Sequence, residues 1–167
     1  GKRIYLRERI VLQEALGQFS LAGLVRLTKY IITVTLLIES TGVLILFIRW
    51  LPDFGVVKAL YFAIYHSISA FCNAGFDILG GTFGEFASLT HYAEDLTVSL
   101  TIAFLLMIGG IGFTVILDVY KTRRFSRLSF HSRVVITMTA ILVILGTIVI
   151  LGLEYYNPNT LKPLSPK

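Results

Sequence analysis

Charge is scarce in this sequence. Fifteen Lys and Arg and ten Asp and Glu make up 15% of its 167 residues, against ~25% in an ordinary soluble domain. That shortage excludes a solvated globular surface of the usual kind. It also excludes nucleic-acid binding as the reason for the net charge of +5. A disordered chain is excluded too, since disorder needs few apolar residues and 55% are hydrophobic here. The single cysteine, Cys72, forbids an internal disulfide and leaves the redox compartment open. The N-terminus lacks the charged, apolar, small-residue pattern of a signal peptide. It opens on Gly rather than Met, so an excerpt of a longer chain or a processed product is expected. No Walker loop occurs, and the Gly pairs lack a strand–helix context. His66, Cys72 and His91 do not have metal-ligand spacing, and no third group orients a His66–Cys72 nucleophile. Enzyme chemistry is therefore not expected.

What is present is length in the apolar runs. Tyr30–Ile48 holds 19 residues with one charge, Glu39; Leu96–Leu117 holds 22 with none; Val134–Leu153 holds 20 with none. At ~1.5 Å per residue each reaches the roughly 30 Å of a bilayer's hydrocarbon core. A soluble core helix would show a polar face. Three membrane-spanning helices are expected, in an all-α integral membrane protein.

Lys and Arg crowd residues 1–29 and 118–133, whereas 49–95 carries Asp53, Asp77, Glu85, Glu94 and Asp95. The positive-inside rule puts the N-terminus and loop 118–133 in the cytoplasm, and 49–95 and the tail from Glu154 outside. The basic clusters can be topology signals alone, or they can contact anionic lipid or dock a cytosolic partner. Arg123, Arg124 and Arg127 are the candidate docking residues, and 8–25 reads as a loosely amphipathic helix.

The outer segment is neither an ordinary loop nor a span. Pro52, Asp53 and Gly55 mark a turn, and Val56–Ser69 then reads as a helix of about 14 residues, too short to cross but suited to a re-entrant segment. Ala70 to Phe76 and a Gly-rich exit through Gly80, Gly81 and Gly84 follow. Irregular backbone at membrane depth is tolerated only inside protein or along a water-filled path. A half-helix ending there aims its partly negative C-terminus inward, favouring a cation. Extended residues beyond it can replace a cation's hydration shell with carbonyls. The competing reading is an extracellular amphipathic helix and a loop.

HSISAFCNAGFD resembles the second pore loop of the Trk/Ktr/HKT superfamily of potassium transporters, closest to the bacterial Ktr-type membrane subunit. RERIVLQEALGQFSLAGLVRL, MIGGIGFTVILDVY and KTRRFSRLSFHSRVV resemble flanking stretches of the same family, so the resemblance covers nearly the whole chain. That family repeats helix, pore loop, helix four times around one ion filter. The resemblance implies a lead-in over 1–29, the second repeat over 30–117, a cytoplasmic loop over 118–133, the first helix of the third repeat over 134–153, and an extracellular tail over 154–167. It implies a filter strand of Cys72, Asn73, Ala74 and Gly75 binding K+ through backbone carbonyls, with Gly75 as the filter glycine. It further implies the remaining repeats as partners, a homodimer in the cell membrane, Na+ as a coupling ion, and a cytosolic ring binding ATP/ADP or NAD(H). One loop cannot surround an ion alone.

Glu39 stands mid-span, where an ionisable group costs at least ~2.5 kcal/mol. A protonated or hydrogen-bonded structural Glu is the first reading, a buried contact supporting the pore loop or a neighbouring helix is the functional one, and direct ligation comes last. Ser99, Ala103, Gly110 and Thr114 share one helical face suited to packing. Gly109, Gly110 and Gly112 are the candidate hinge. Asp77 is either a cation-concentrating mouth residue or a plain loop carboxylate. The rivals to a transporter with this filter are a non-transporting membrane scaffold and a broken-helix solute carrier.

Overall fold

The first helix, α1 (Leu21–Phe71), has 51 residues, more than twice what a bilayer requires. Its backbone leaves helical geometry at Gly55, with φ 70° and ψ 172°, a conformation open to glycine and resisted by residues with a Cβ. Ser67 Oγ donates to the Glu39 carbonyl at 2.8 Å. An unbroken helix would hold those two residues about 42 Å apart at ~1.5 Å per residue. Residues 56–71 therefore double back along 39–54. The turn is sharper than the sequence suggests. Pro52 and Asp53 remain helical, Gly55 alone carries the break, and the returning arm runs two residues past Ser69, to Phe71. The computed structural model describes residues 21–157, so the lead-in over 1–20 and the tail beyond 157 lie outside the described residues. Residues 21–38 belong to a separate compact unit. They are helical, and Val25, Ile32, Leu36 and Leu37 are exposed.

The second unit, from Glu39 onward, has its core where the returning arm meets the outward one. Leu46 and Trp50 pack with Ala59, Phe62 and Ala63, and Leu79, Tyr92 and Val98 close the cluster. Small side chains at 59 and 63 let the arms approach, and Phe54 meets Phe62 edge-on at 5.0 Å. A short helix, α2 (Gly80–Phe83), and a 3-10 turn (Thr90–Tyr92) lead to α3 (Leu96–Ile111). Asp95 caps α3, accepting from the N–H of Thr97 (2.9 Å) and Val98 (3.2 Å), as acidic residues commonly do at helix starts. Arg49 joins it, bonding both Asp95 and Asp53, and Tyr92 donates to Asp53 at 3.0 Å. Burial pushes the Tyr92 phenol up and the Asp53 bond adds to this, so the hydroxyl stays a donor.

Burial also raises the Asp95 carboxyl, but the Val98 N–H, the Arg49 bond and charge, and the Thr97 N–H outweigh it and hold the group below its ordinary 3.8. A depressed carboxylate stabilises the fold above the unfolded value, and that contribution disappears as pH falls through the lower folded one. Asp95→Asn should therefore lower the melting temperature of the detergent-solubilised protein at neutral pH. The gap to wild type should narrow as pH falls below 3.8 and through the lower folded value. A gap independent of pH would remove the charge from this account.

The second apolar run is not one straight span. α3 ends at Ile111, and α4 (Phe113–Thr122) departs at 94°. The break is Gly112, with φ 90° and ψ 146°. The expected face of small residues also differs. Ser99, Ala103, Gly110 and Thr114 are exposed, while Val98, Leu105 and Val115 are buried. Packing within this chain selects the larger apolar side chains, and the small-residue face is left outward. α5 (Phe130–Glu154) is longer than the expected span, and the intervening loop shrinks to 123–129.

Every regular element among the described residues is helical. Leu142, Ile144, Ile148, Ile150 and Leu153 of α5 are exposed, and its apolar stretch has no buried residue. Water does not tolerate such a surface over 25 residues; a bilayer does. The chain is an all-α membrane protein.

Candidate functional site

The returning arm of α1 stops at Phe71 and the chain unwinds. Cys72 N–H bonds the Ile68 carbonyl at 2.9 Å, Asn73 N–H that of Ala70 at 3.0 Å, and Ala74 N–H that of Ser69 at 2.9 Å. Asn73 (φ 55°) and Gly75 (φ 70°) both have left-handed backbones. Asn tolerates that region better than most residues, and glycine enters it freely. The four residues singled out in the sequence, Cys72, Asn73, Ala74 and Gly75, are thus contiguous, non-helical and exposed. A Cβ added at Gly75 would meet nothing within 4 Å. Among the described residues no side chain fills the space beside it.

Two cavities flank the strand. An apolar one of about 290 Å³ lies among Tyr61, Ile64, Tyr65, Ile68, Cys72 and Phe76. Another, of about 490 Å³, lies among Gly75, Asp77, Gly80, Gly81, Phe86 and Ser88. A third, of about 950 Å³, lies away from the strand around Arg49, Asp53 and Asp95. Those three side chains are already engaged with one another. Among the described residues no group of His, Cys, Asp and Glu could hold a metal ion through side chains.

Beyond Gly75 the chain is held from the returning arm. Ser69 Oγ donates to the Phe76 carbonyl at 2.9 Å. His66 Nε2 lies 3.1 Å from Asp77 Oδ1, which also accepts from Leu79 N–H at 2.9 Å. His66 Nδ1 lies 2.8 Å from the Phe62 carbonyl. A carbonyl only accepts, so Nδ1 carries a proton. Through His66 Nε2 and Leu79 N–H, Asp77 is tied back into the protein. The pair is hidden in the sequence, where His66 reads only as a ligand or catalyst candidate. The legible signal was a His and a Ser three apart near the end of a mostly apolar half-helix.

The glycines of the second run divide by role. A Cβ on Gly109 would lie 1.9 Å from the Phe71 carbonyl oxygen and 3.1 Å from Asn73 Nδ2. Gly109 is the seat on which the end of the returning arm rests. Gly110 is farther, 3.9 Å from the Asn73 amide, and Gly112 is where the helix breaks. Glu39 is half-buried. Its backbone carbonyl meets the returning arm through Ser67.

At the other end, Asp118 accepts from Thr122 Oγ1 (3.1 Å), Ser129 N–H (2.9 Å) and Ser132 Oγ (2.6 Å). This clips the end of α4 to the start of α5. Arg123, Arg124 and Arg127 are exposed on the turn between them.

Comparison with known proteins places this geometry in context. The TrkH family model, described as a cation transport protein, matches residues 2–162. Ktr system potassium uptake protein B of Bacillus subtilis is 42% identical over 161 residues, covering 96% of this chain and 35% of that protein. The Vibrio alginolyticus protein of the same name is 39% identical over 167 residues, covering 99% and 35%. Potassium/sodium uptake protein NtpJ of Enterococcus hirae is 35% identical over 153 residues, covering 92% and 33%. The chain spans about a third of the length of these relatives.

Proposed function

Because the chain belongs to the TrkH family of cation transport proteins, we propose that it forms part of a subunit carrying K+ across the cell membrane through a filter of backbone carbonyls. The chemistry is that of a transporter, not an enzyme. The observation that carries the reading is the exposed, non-helical strand Cys72–Gly75 at the end of a helix that doubles back. A helix C-terminus carries a partial negative charge, and carbonyls can replace the hydration shell of a dehydrated cation. Potassium uptake in the names of the Bacillus and Vibrio relatives supports K+ as cargo. The potassium/sodium name of the Enterococcus relative supports sodium as a coupled or competing ion.

In this reading the 290 Å³ apolar groove and the outward small-residue face of α3 are covered by the other repeats of the full-length chain. Gly109 and Gly110 support the filter base, Gly112 lets the inner half of the second run swing, and Glu39 is structural. The basic turn with Arg123, Arg124 and Arg127 faces the cytoplasm and docks a regulatory ring that binds ATP/ADP or NAD(H). The full-length subunit is a homodimer, with its N-terminus inside. The chain itself holds no cofactor and no nucleic acid.

The test is growth. The full-length protein, expressed in cells stripped of their own potassium uptake, is expected to restore growth at low K+. Failure to do so at a normal membrane level, with or without added Na+, would contradict the reading.

A further inference from the structure

We propose that His66 is a positioning residue for ion selectivity, acting through Asp77 to hold the outer exit of the filter in place. The proposal rests on the filter reading above. Gly75 has the freest backbone of any residue type, so what anchors its neighbours sets the position of its carbonyl. Before it, Ala74 N–H is bonded to Ser69. After it, the two bonds from the returning arm are Ser69 to the Phe76 carbonyl and His66 to Asp77. Ser69 and His66 stand three residues apart, on one helix face, and grip consecutive residues like a buckle. Asp77 passes the hold on to Leu79 N–H, and Leu79 is fully buried in the core.

The imidazole has little freedom of its own. His66 is 2% exposed. Its Nδ1 is bonded within the helix to Phe62. Trp50 packs edge-on at 5.3 Å, and Tyr65 at 5.7 Å. The ring is therefore fixed on one side while Nε2 alone reaches the exit strand. Residues 72–76 are exposed, so among the described residues no opposing wall holds the strand. Whether a filter selects by cavity size or by the number of carbonyls, it does so only if the carbonyls keep their places.

The experiment compares His66→Gln, His66→Asn and His66→Phe in the full-length protein, reading K+ uptake against Na+ competition at matched membrane levels. Gln places an amide N–H where Nε2 stood. Asn reaches only the Nδ1 position, and Phe fills the space with no donor. Loss of a buried hydrogen bond should reduce K+ over Na+ discrimination about tenfold in the Phe and Asn variants. The Gln variant should stay close to wild type. Discrimination unchanged in the Phe variant overturns the proposal. Equal loss in all three also overturns it, because packing would then be the cause. Ser69→Ala removes one oxygen and serves if the larger changes lower the membrane level. It should cost a few-fold in discrimination, and no change would overturn the buckle. Gly75→Ser is run alongside. If it too leaves selectivity intact, the filter reading fails rather than the His66 assignment alone.

Discussion

Gly75→Ser and Gly75→Asp in the full-length protein are expected to abolish selective K+ uptake, by at least about tenfold, while leaving the protein folded and in the membrane. The separation of the two effects follows from geometry. An L-residue at φ 70° costs about 1–2 kcal/mol. Space is not a further cost, because an added Cβ meets nothing within 4 Å. The fold can bear a loss of that size. The strand cannot bear it unchanged, because a side-chain-bearing residue gains by rotating to negative φ and carrying its carbonyl with it. Asp adds a negative charge at the same point. The checks are a melting temperature that falls by a few degrees at most and an uptake assay that falls far more. A variant that transports like wild type would show that the backbone at 75 is not read by the ion.

Gly109→Ala should behave in the opposite way, damaging the fold first. The added methyl would lie 1.9 Å from the Phe71 carbonyl oxygen, where a comfortable carbon–oxygen approach is about 3.3 Å or more. Backbone on one side or the other must move, so the cost should reach or exceed the upper end of the ~1–3 kcal/mol typical of overpacking. The displaced atom is the last carbonyl of the returning arm, so transport falls with stability. Gly110→Ala is the control. Its nearest neighbour among the described residues is 3.9 Å away, so it should lose less stability than Gly109→Ala. Thermal unfolding of the two purified variants decides the matter. Equal stability would mean that α3 and the returning arm do not pack as closely as described.

The three apolar runs and the half-helix after Gly55 were legible because their length is set by the bilayer, and length can be read from a single sequence. The strand Cys72–Gly75 was legible from its resemblance to a known family, and only weakly from one glycine after a short helix. The bend at Gly112 was not legible as a bend. A run without charges looks continuous whether or not a glycine breaks it, and Gly109, Gly110 and Gly112 are alike on paper. Only the contact of Gly109 with Phe71 separates the seat from the hinge. The buried face of α3 was not legible either. A face of small residues suits close helix packing but does not say which neighbour it meets, and within the described residues Val98 and Leu105 are the ones buried. The link from His66 to Asp77 spans eleven residues and depends on how the strand returns, which helical periodicity does not encode.

The central claim is that the backbone around Gly75 selects the ion. The most direct measurement is tracer K+ uptake into vesicles carrying the full-length protein, wild type or Gly75→Ser, across a series of Na+ concentrations. The account predicts that Na+ competes weakly with wild type, and that with the variant it competes strongly or no uptake remains. Identical Na+ competition curves for the two proteins, at equal amounts in the vesicle membrane, would contradict it.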